Sequence, residues 1–345
     1  MSELFGPDEL KIAVIGGGTG SFTLLSALKK HTSAIAALVN MADDGGSTGI
    51  LRDELGALPP GDVRQCLVAL SSTPEMRDLF NYRFEEGSLK GHALGNLFLS
   101  ALEKMTGNFA TGVELASEVL NITGVVEPIT LTNVKLAMRT ADKKETHGEF
   151  RIAQMKFSGT RPEFWLEPEA EANPRAIAAI HQADIVVIAP GNLYGSLAPA
   201  LIVPGVGQAL AKSKAVKLYV CNLVTKPGQT DGYKVNDFVD EIERLAGEPF
   251  LDAVLFNTEQ PSRDLLDKYA ADGELAVTYD ETLFKTTRYV AAGANLLSGS
   301  IWQNSNKSDP IAATRTLIRH DSEAVAASII ELFEYLKAHP TQDES

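Results

Sequence analysis

The chain has very little cysteine, a deficit of basic residues and no long apolar run. Cys66 and Cys221 are the only two cysteines in 345 residues, and neither has a CxxC partner, which argues against a disulfide scaffold and a structural zinc site. No stretch approaches 18 uninterrupted apolar residues, so no membrane insertion is expected. Lys and Arg number 31 against 45 Asp and Glu, for a formal charge of -14. That balance argues against nucleic-acid binding, which needs a basic stripe. It leaves room for a small anionic ligand, because a local Arg-lined cleft can coexist with an acidic exterior. A basic region leading into an apolar stretch is also missing before Lys11, so no secretion signal is expected and the protein reads as cytoplasmic. With 44% hydrophobic and 22% charged residues, a chain of this length can bury a sizeable core.

The most informative segment is KIAVIGGGTG at 11–20, a short apolar strand running directly into a glycine loop. SFTLLSALKK follows as a helix with Leu24, Leu25 and Leu28 on one face. The next apolar run ends at Asn40, with Asp43 and Asp44 just beyond it. Strand, glycine turn, helix, strand and acid form the plan of a mononucleotide-binding half, where ligands sit beyond the carboxyl ends of parallel strands. Two features depart from the common versions. Gly16, Gly17, Gly18 and Gly20 lack the dinucleotide spacing and no P-loop lysine follows them, so neither NAD nor flavin is expected. A pair of acids also occupies a turn where a dinucleotide site usually has one. The combination points to a phosphate-bearing ligand held with a metal ion.

Residues 45–65 contain Pro59, Pro60 and five glycines, and predict a long functional loop. Helices are predicted at 63–72 and 92–105. The segment 127–160 predicts a hairpin or small inserted lobe of short antiparallel strands, ITLTNVKLAMRTA and EFRIAQMKF about a polar turn at 142–148. An α/β rhythm then returns through DIVVIAPGNLYGS, AVKLYVCNLVTKPGQT and LDAVLFNTEQPS, and a final helix is predicted at 321–338. The expected fold is α/β: one large domain over 1–345 with a doubly wound, mainly parallel Rossmann-like sheet and the inserted lobe. Loops 16–21, 40–64, 190–196, 222–231 and 257–262 all leave strand carboxyl ends, so they are expected to converge on one cleft.

Each loop brings its own chemistry. Backbone amides from Gly16 to Gly20, including Thr19, can hold phosphate at a helix start. Asp43, Asp44 and Asp62 are candidates for metal or base chemistry, since Mg²⁺ commonly takes one or two carboxylates with phosphate and water. The alternative for these acids is turn formation at Asp43 and Asp44 and helix capping at Asp62. Arg52 and Arg64 read either as phosphate clamps or as ordinary ion-pair residues. His92, with Asn96 one turn later, can donate to phosphate or simply satisfy a structural hydrogen bond. Gly191, Asn192 and Ser196 form a second polar turn. Tyr194 either stacks on a flat heterocycle or packs beneath the loop. Asn222, Thr225 and Thr230 make a third polar edge, and Asn257 with Thr258 a fourth. An extended cleft of this kind suits a nucleotide sugar or another two-part phosphodiester.

Six segments carry a resemblance: IGGGTG (15–20), NMADDGGSTGILR (40–52), PPGDVRQCLVAL (59–70), GHALGN (91–96), APGNLYGS (189–196) and NLVTKPGQTDGY (222–233). In this order they resemble the gluconeogenesis-factor (YvcK-like) family, related to the 2-phospho-L-lactate transferases that build a deazaflavin coenzyme. The transferase likeness implies divalent metal, Mg²⁺ being preferred, at Asp44 and Asp62, which would also be the catalytic pair. The gluconeogenesis-factor likeness implies a regulatory protein of cell shape and cell-wall precursor metabolism that binds UDP-sugars such as UDP-N-acetylglucosamine. It also implies a cell-wall pathway protein as a possible partner and a homodimer or higher homo-oligomer. The alternative it implies is a metal-dependent enzyme of the 2-phospho-L-lactate transferase type acting on a deazaflavin acceptor. Ala189 and Asn192 depart from the family's GPGS turn, and Lys226 and Gln229 from its TQPGET loop.

Overall fold

The computed structural model describes residues 4–5, 9–157, 159, 161–299 and 318–339. Among the described residues ten strands fall into two sheets. The large sheet contains β1 (Ile12–Gly16), β2 (Ile35–Val39) and β3 (Val125–Pro128). The small sheet follows in the chain as β4 (Lys135–Arg139), β5 (Glu145–His147) and β6 (Glu163–Glu167). The chain then returns to the large sheet as β7 (Ile185–Ile188), β8 (Val216–Val220), β9 (Ala253–Asn257) and β10 (Val290–Ala294).

The large sheet has the order β10-β9-β8-β7-β1-β2-β3, and every pairing in it is parallel. β1 is the pivot: Ile12 pairs with Ile35 on one side and with Ile185 on the other. The chain runs outward from β1 to β3, then returns to β7 and runs outward the other way. That reversal between β1 and β7 opens a crevice at their carboxyl ends, the usual ligand position in open α/β sheets.

Parallel strands covered on both faces need apolar side chains throughout, and β1, β2 and β7 are buried at every position. Their side chains alternate between two cores. Ala13, Ile15, Ala36 and Leu38 belong to one core, while Ile12, Val14, Ile35 and Val39 belong to the other. Each fully buried Leu, Ile or Val contributes about 1.5–3 kcal/mol relative to exposure, so these short strands anchor the cleft firmly. The helix Ser322–Ala338 places Val325, Ile329 and Phe333 in the second core.

The small sheet is antiparallel, in the order β5-β4-β6. Its inner face contributes Leu136, Met138 and Leu166 to the same core as Ile15 and Leu38. Several expected boundaries change. The strand expected over EFRIAQMKF begins instead as a short helix, Glu149–Ile152, and β6 supplies the third strand from beyond residue 160. Most of the expected 40–64 loop is helix, as Gly46–Leu55 and the start of Pro60–Leu70. Proline at the first helical position needs no backbone N–H, so Pro60 starts a helix where composition suggested a loop. β3, whose last two residues fall inside the expected 127–160 lobe, pairs with β2 in the large sheet. Among the described residues no single helix is long and apolar enough to cross a membrane.

Candidate functional site

The glycine turn is built by close approach. β1 passes through Gly17 into the helix Gly18–Leu28, and Gly18 has φ +65°, a conformation that disfavours a side chain. The Gly18 N–H donates to Asp62 Oδ1 at 2.9 Å. Gly20 lies against the Pro190 carbonyl, where a Cβ would overlap backbone oxygen. The turns after β1 and β7 are therefore pressed together across the crevice.

Four carboxylates gather around these turns, each against a glycine. Asp62 faces Gly17, Asp43 faces Gly61, Asp44 faces Gly148 and Glu149 faces Gly195. Asp62 lies in the first turn of Pro60–Leu70, where the positive helix end favours negative charge. Asp43 Oδ1 accepts from the Gly45 N–H at 3.0 Å, and Asp44 Oδ1 from the Phe150 N–H at 2.8 Å. Asn40, buried beside Gly17, accepts from the Ala42 N–H at 3.0 Å.

For Asp62, Asp43 and Glu149 the electrostatics are dominated by burial and by like charge nearby. Burial, then the charges of Asp43 and Glu149, hold the Asp62 carboxyl well above the ordinary range. Asp43 is raised mainly by burial, with Asp44 adding to it against hydrogen bonds from Gly45 and Thr48. Burial pushes Glu149 up to about 7, assisted by Asp43 and Asp44 and opposed by Lys226. Lys226 is itself lowered by burial, against the upward pull of Glu149 and Glu274.

Among the described residues no three His, Cys, Asp or Glu side chains form a ready-made metal cage. The oxygen donors and their crowded like charge fit a different arrangement. A hard divalent ion can take one or two of these carboxylates and complete its shell with ligand phosphate and water.

One wall of the cleft is a polar chain. Ser47 Oγ meets His92 Nδ1 at 3.0 Å, and Asn96 Nδ2 donates to the same Oγ at 3.2 Å. Arg64 Nε donates to Asn96 Oδ1 at 2.9 Å, and its Nη1 to Asn81. Arg64 and His92 are thus joined through their neighbours. Arg52, also buried, donates through Nη2 to the Val134 carbonyl, while its Nη1 has no hydrogen-bond partner.

The opposite wall begins with a π-helical turn, Leu193–Leu197, a form frequent at functional sites. Asn192 Oδ1 accepts from the N–H groups of Tyr194 and Gly195, each at 3.3 Å. Asn222 binds Gly191 both ways, accepting from its N–H at 3.3 Å and donating to its carbonyl at 2.7 Å. The Ser196 N–H donates to the Asn192 carbonyl at 2.8 Å. Tyr194 is fully buried: its ring stacks on Phe164, meets Phe157 edge-on, and its hydroxyl lies 3.1 Å from that of Tyr233. It therefore packs beneath the loop and presents no face for a heterocycle. Thr225 Oγ1 accepts from the Leu275 N–H at 3.1 Å, tying down its own loop. Thr230 Oγ1 likewise accepts from the Lys226 N–H at 2.7 Å. Asn257 is bonded to Glu259 and Leu296 at the end of β9, and Thr258 is exposed. Thr19 is exposed on the first turn of its helix.

Sequence reasoning missed the short helix that brings in Glu149 and Phe150. It also missed how that helix is held: Gln229 Nε2 lies 3.0, 3.2 and 3.1 Å from the carbonyls of Ile152, Ala153 and Met155. Glu-Phe-Arg-Ile alternates polar and apolar as a strand would, so Gly148 just before it was the one available signal of a break.

Comparison with known proteins agrees with this fold. The family model for 2-phospho-L-lactate transferase CofD matches residues 12–297. A putative gluconeogenesis factor from Thermoanaerobacterium thermosulfurigenes is 40% identical over 328 residues, covering 94% of this chain and 97% of that protein. The gluconeogenesis factor of Bacillus subtilis is 37% identical over 327 residues, covering 94% and 98% respectively. A crystal structure of a UPF0052-family protein from Bacillus halodurans superposes with a TM-score of 0.84 at 36% identity, covering 94% of this chain and all of that one.

Proposed function

The chain belongs to the CofD family, on its gluconeogenesis-factor side, and from that premise we propose that it is a regulatory protein that binds a UDP-sugar together with a divalent cation. The observation that carries this reading is the seating of four carboxylates on four glycines around the β1–β7 crevice. Deprotonated acids repel a diphosphate unless a cation intervenes, and Asp44 and Asp62 are the residues assigned to hold Mg²⁺. The ion would supply charge neutralisation between the carboxylates and the diphosphate. Gly17, Gly18 and the first turn of the following helix would then face the phosphates. The relatives named as gluconeogenesis factors support a role in central carbon metabolism, and cell shape and cell-wall precursor supply are the outputs proposed here. Calorimetry with UDP-N-acetylglucosamine, UDP-glucose and UDP in the presence of Mg²⁺ tests the reading. Binding that requires the ion supports it. Folded protein that binds none of the three with Mg²⁺ present sinks it.

A second reading is favoured by the family match itself: transfer of a 2-phospholactyl group from an activated donor to a deazaflavin alcohol. The same cation would neutralise the transferring group between donor and acceptor. Mass spectrometry of a reaction containing both substrates separates the two readings, because only the transferase forms the phospholactyl deazaflavin.

A further inference from the structure

We propose that Phe150 is the ring platform of this cleft, the surface on which a ligand's flat heterocycle stacks beside the phosphate site; this rests on the phosphate-cleft reading above. Among the described residues four aromatic side chains are exposed: Tyr82, Phe150, Tyr279 and Tyr335. Tyr82 packs edge-on to Phe84, Tyr279 stacks with Phe284, and Tyr335 stacks with His339. Phe150 is 54% exposed and meets no other ring among the described residues. Leaving a phenyl face in water forfeits stabilisation that burial would supply.

Its location is the second observation. The Phe150 N–H is held by Asp44, one of the two residues assigned to the cation. Its neighbour Glu149 faces Gly195 on the wall after β7. Its ring lies beside the turn that starts the helix Gly46–Leu55, so that a methyl group on Gly45 would come 3.5 Å from Cδ2. The backbone beneath it is fixed at both ends, by Asp44 at Phe150 and by Gln229 at Ile152, Ala153 and Met155. An exposed aromatic on a fixed backbone at the rim of a phosphate cleft offers a base or deazaflavin ring a face to stack on. A π-face accepts different heterocycles with little hydrogen-bond selectivity. The stacking role that sequence suggested for Tyr194 is thereby assigned to a residue of the small sheet's connection.

The test compares wild type, Phe150→Ala and Phe150→Trp by calorimetry in Mg²⁺, with circular dichroism confirming the fold. The probes are inorganic pyrophosphate, UDP and a deazaflavin alcohol. Phe150→Ala is expected to weaken the ring-bearing ligand about tenfold, within the range for losing one stacked base, and to leave pyrophosphate affinity within about twofold. Phe150→Trp restores the ring-bearing ligand. The ligand that responds, UDP or deazaflavin, identifies the source of the ring. A parallel loss of pyrophosphate affinity, or no loss for either ring-bearing ligand, overturns the proposal. Wild-type protein that binds pyrophosphate but neither ring overturns the platform alone. Wild-type protein that binds no probe overturns the phosphate cleft and the platform together.

Discussion

The two sheets use opposite means to build one cleft. On the parallel sheet, β1 and β7 are wholly buried and deliver glycine turns that work through backbone proximity, as at Gly20 against Pro190. On the antiparallel sheet, β4 is exposed at both ends, and the connection from β5 to β6 delivers side chains, Glu149 and Phe150. Backbone contacts between packed elements tolerate almost no added volume. On the short helix Glu149–Ile152 only Ile152 enters a core, so the exposed Phe150 can change without disturbing either one. The parallel sheet should therefore govern whether the cleft exists, and the small sheet's connection what it accepts.

The sharpest way to break that division is to substitute one residue from each side. Gly20→Val drives a branched side chain into the Pro190 carbonyl, and neither backbone can yield. We expect a loss of about 3 kcal/mol or more, beyond ordinary overpacking, read as a lowered midpoint in urea. Phe150→Ala should stay within about 0.5 kcal/mol of wild type, as exposed substitutions do. Equal losses for the two variants would erase the division.

The acids sharpen the comparison within the parallel side. Asp44→Asn and Asp62→Asn keep the size of each side chain and remove a charge from a crowded cluster, so both proteins should remain folded. Loss of an assigned cation ligand should weaken Mg²⁺-dependent ligand binding by about 10–100-fold, the scale on which disturbing metal shells acts. Chelation with EDTA should weaken wild type strongly and the variants little. Variants that bind as wild type does in Mg²⁺ would remove these residues from the cation's shell.

Legibility in the sequence follows the same division. Buried parallel strands need apolar residues at every position, so IAVIG, IAALV and IVVI were readable directly, as were the glycine turns that follow β1 and β7. The doubly wound order and the loops gathered at strand carboxyl ends then followed from topology. The small sheet was read only in outline, because its strands are short and half-exposed, and EFRI has too few residues for a helical period to emerge. Arg64, His92 and Asn96 were found as candidates, but the joining of His92 and Asn96 through Ser47 depends on the helix Gly46–Leu55, which its glycines had disguised as loop. Tyr194 illustrates the limit for single side chains. Its position in the turn was clear, but whether its ring faced solvent or Phe164 was decided by a strand some thirty residues away in the chain.

A further expected effect is a pH dependence carried by Glu149. The carboxyl has a folded-state pKa of about 7 against an ordinary value of 4.5, caused by burial and by Asp43 and Asp44, with Lys226 opposing. Below pH 4.5 the group is protonated in both states. Between 4.5 and 7 the unfolded chain releases the proton while the folded protein keeps it, so stability present at low pH is lost as pH rises through 7. The cost, reduced for partial solvent access, is about 2 kcal/mol. Glu149→Gln removes this titration. It should match wild type near pH 4 and exceed it near pH 8, while the remaining dependence from Asp43 and Asp62 persists in both proteins. Urea melts across that range measure the difference. Adding Mg²⁺ at pH 8 should narrow it, because a cation among the carboxylates offsets the repulsion that the substitution removes. A gap that is unchanged by Mg²⁺ would place Glu149 outside the ion's field, leaving the small sheet to contribute only Phe150 to ligand recognition.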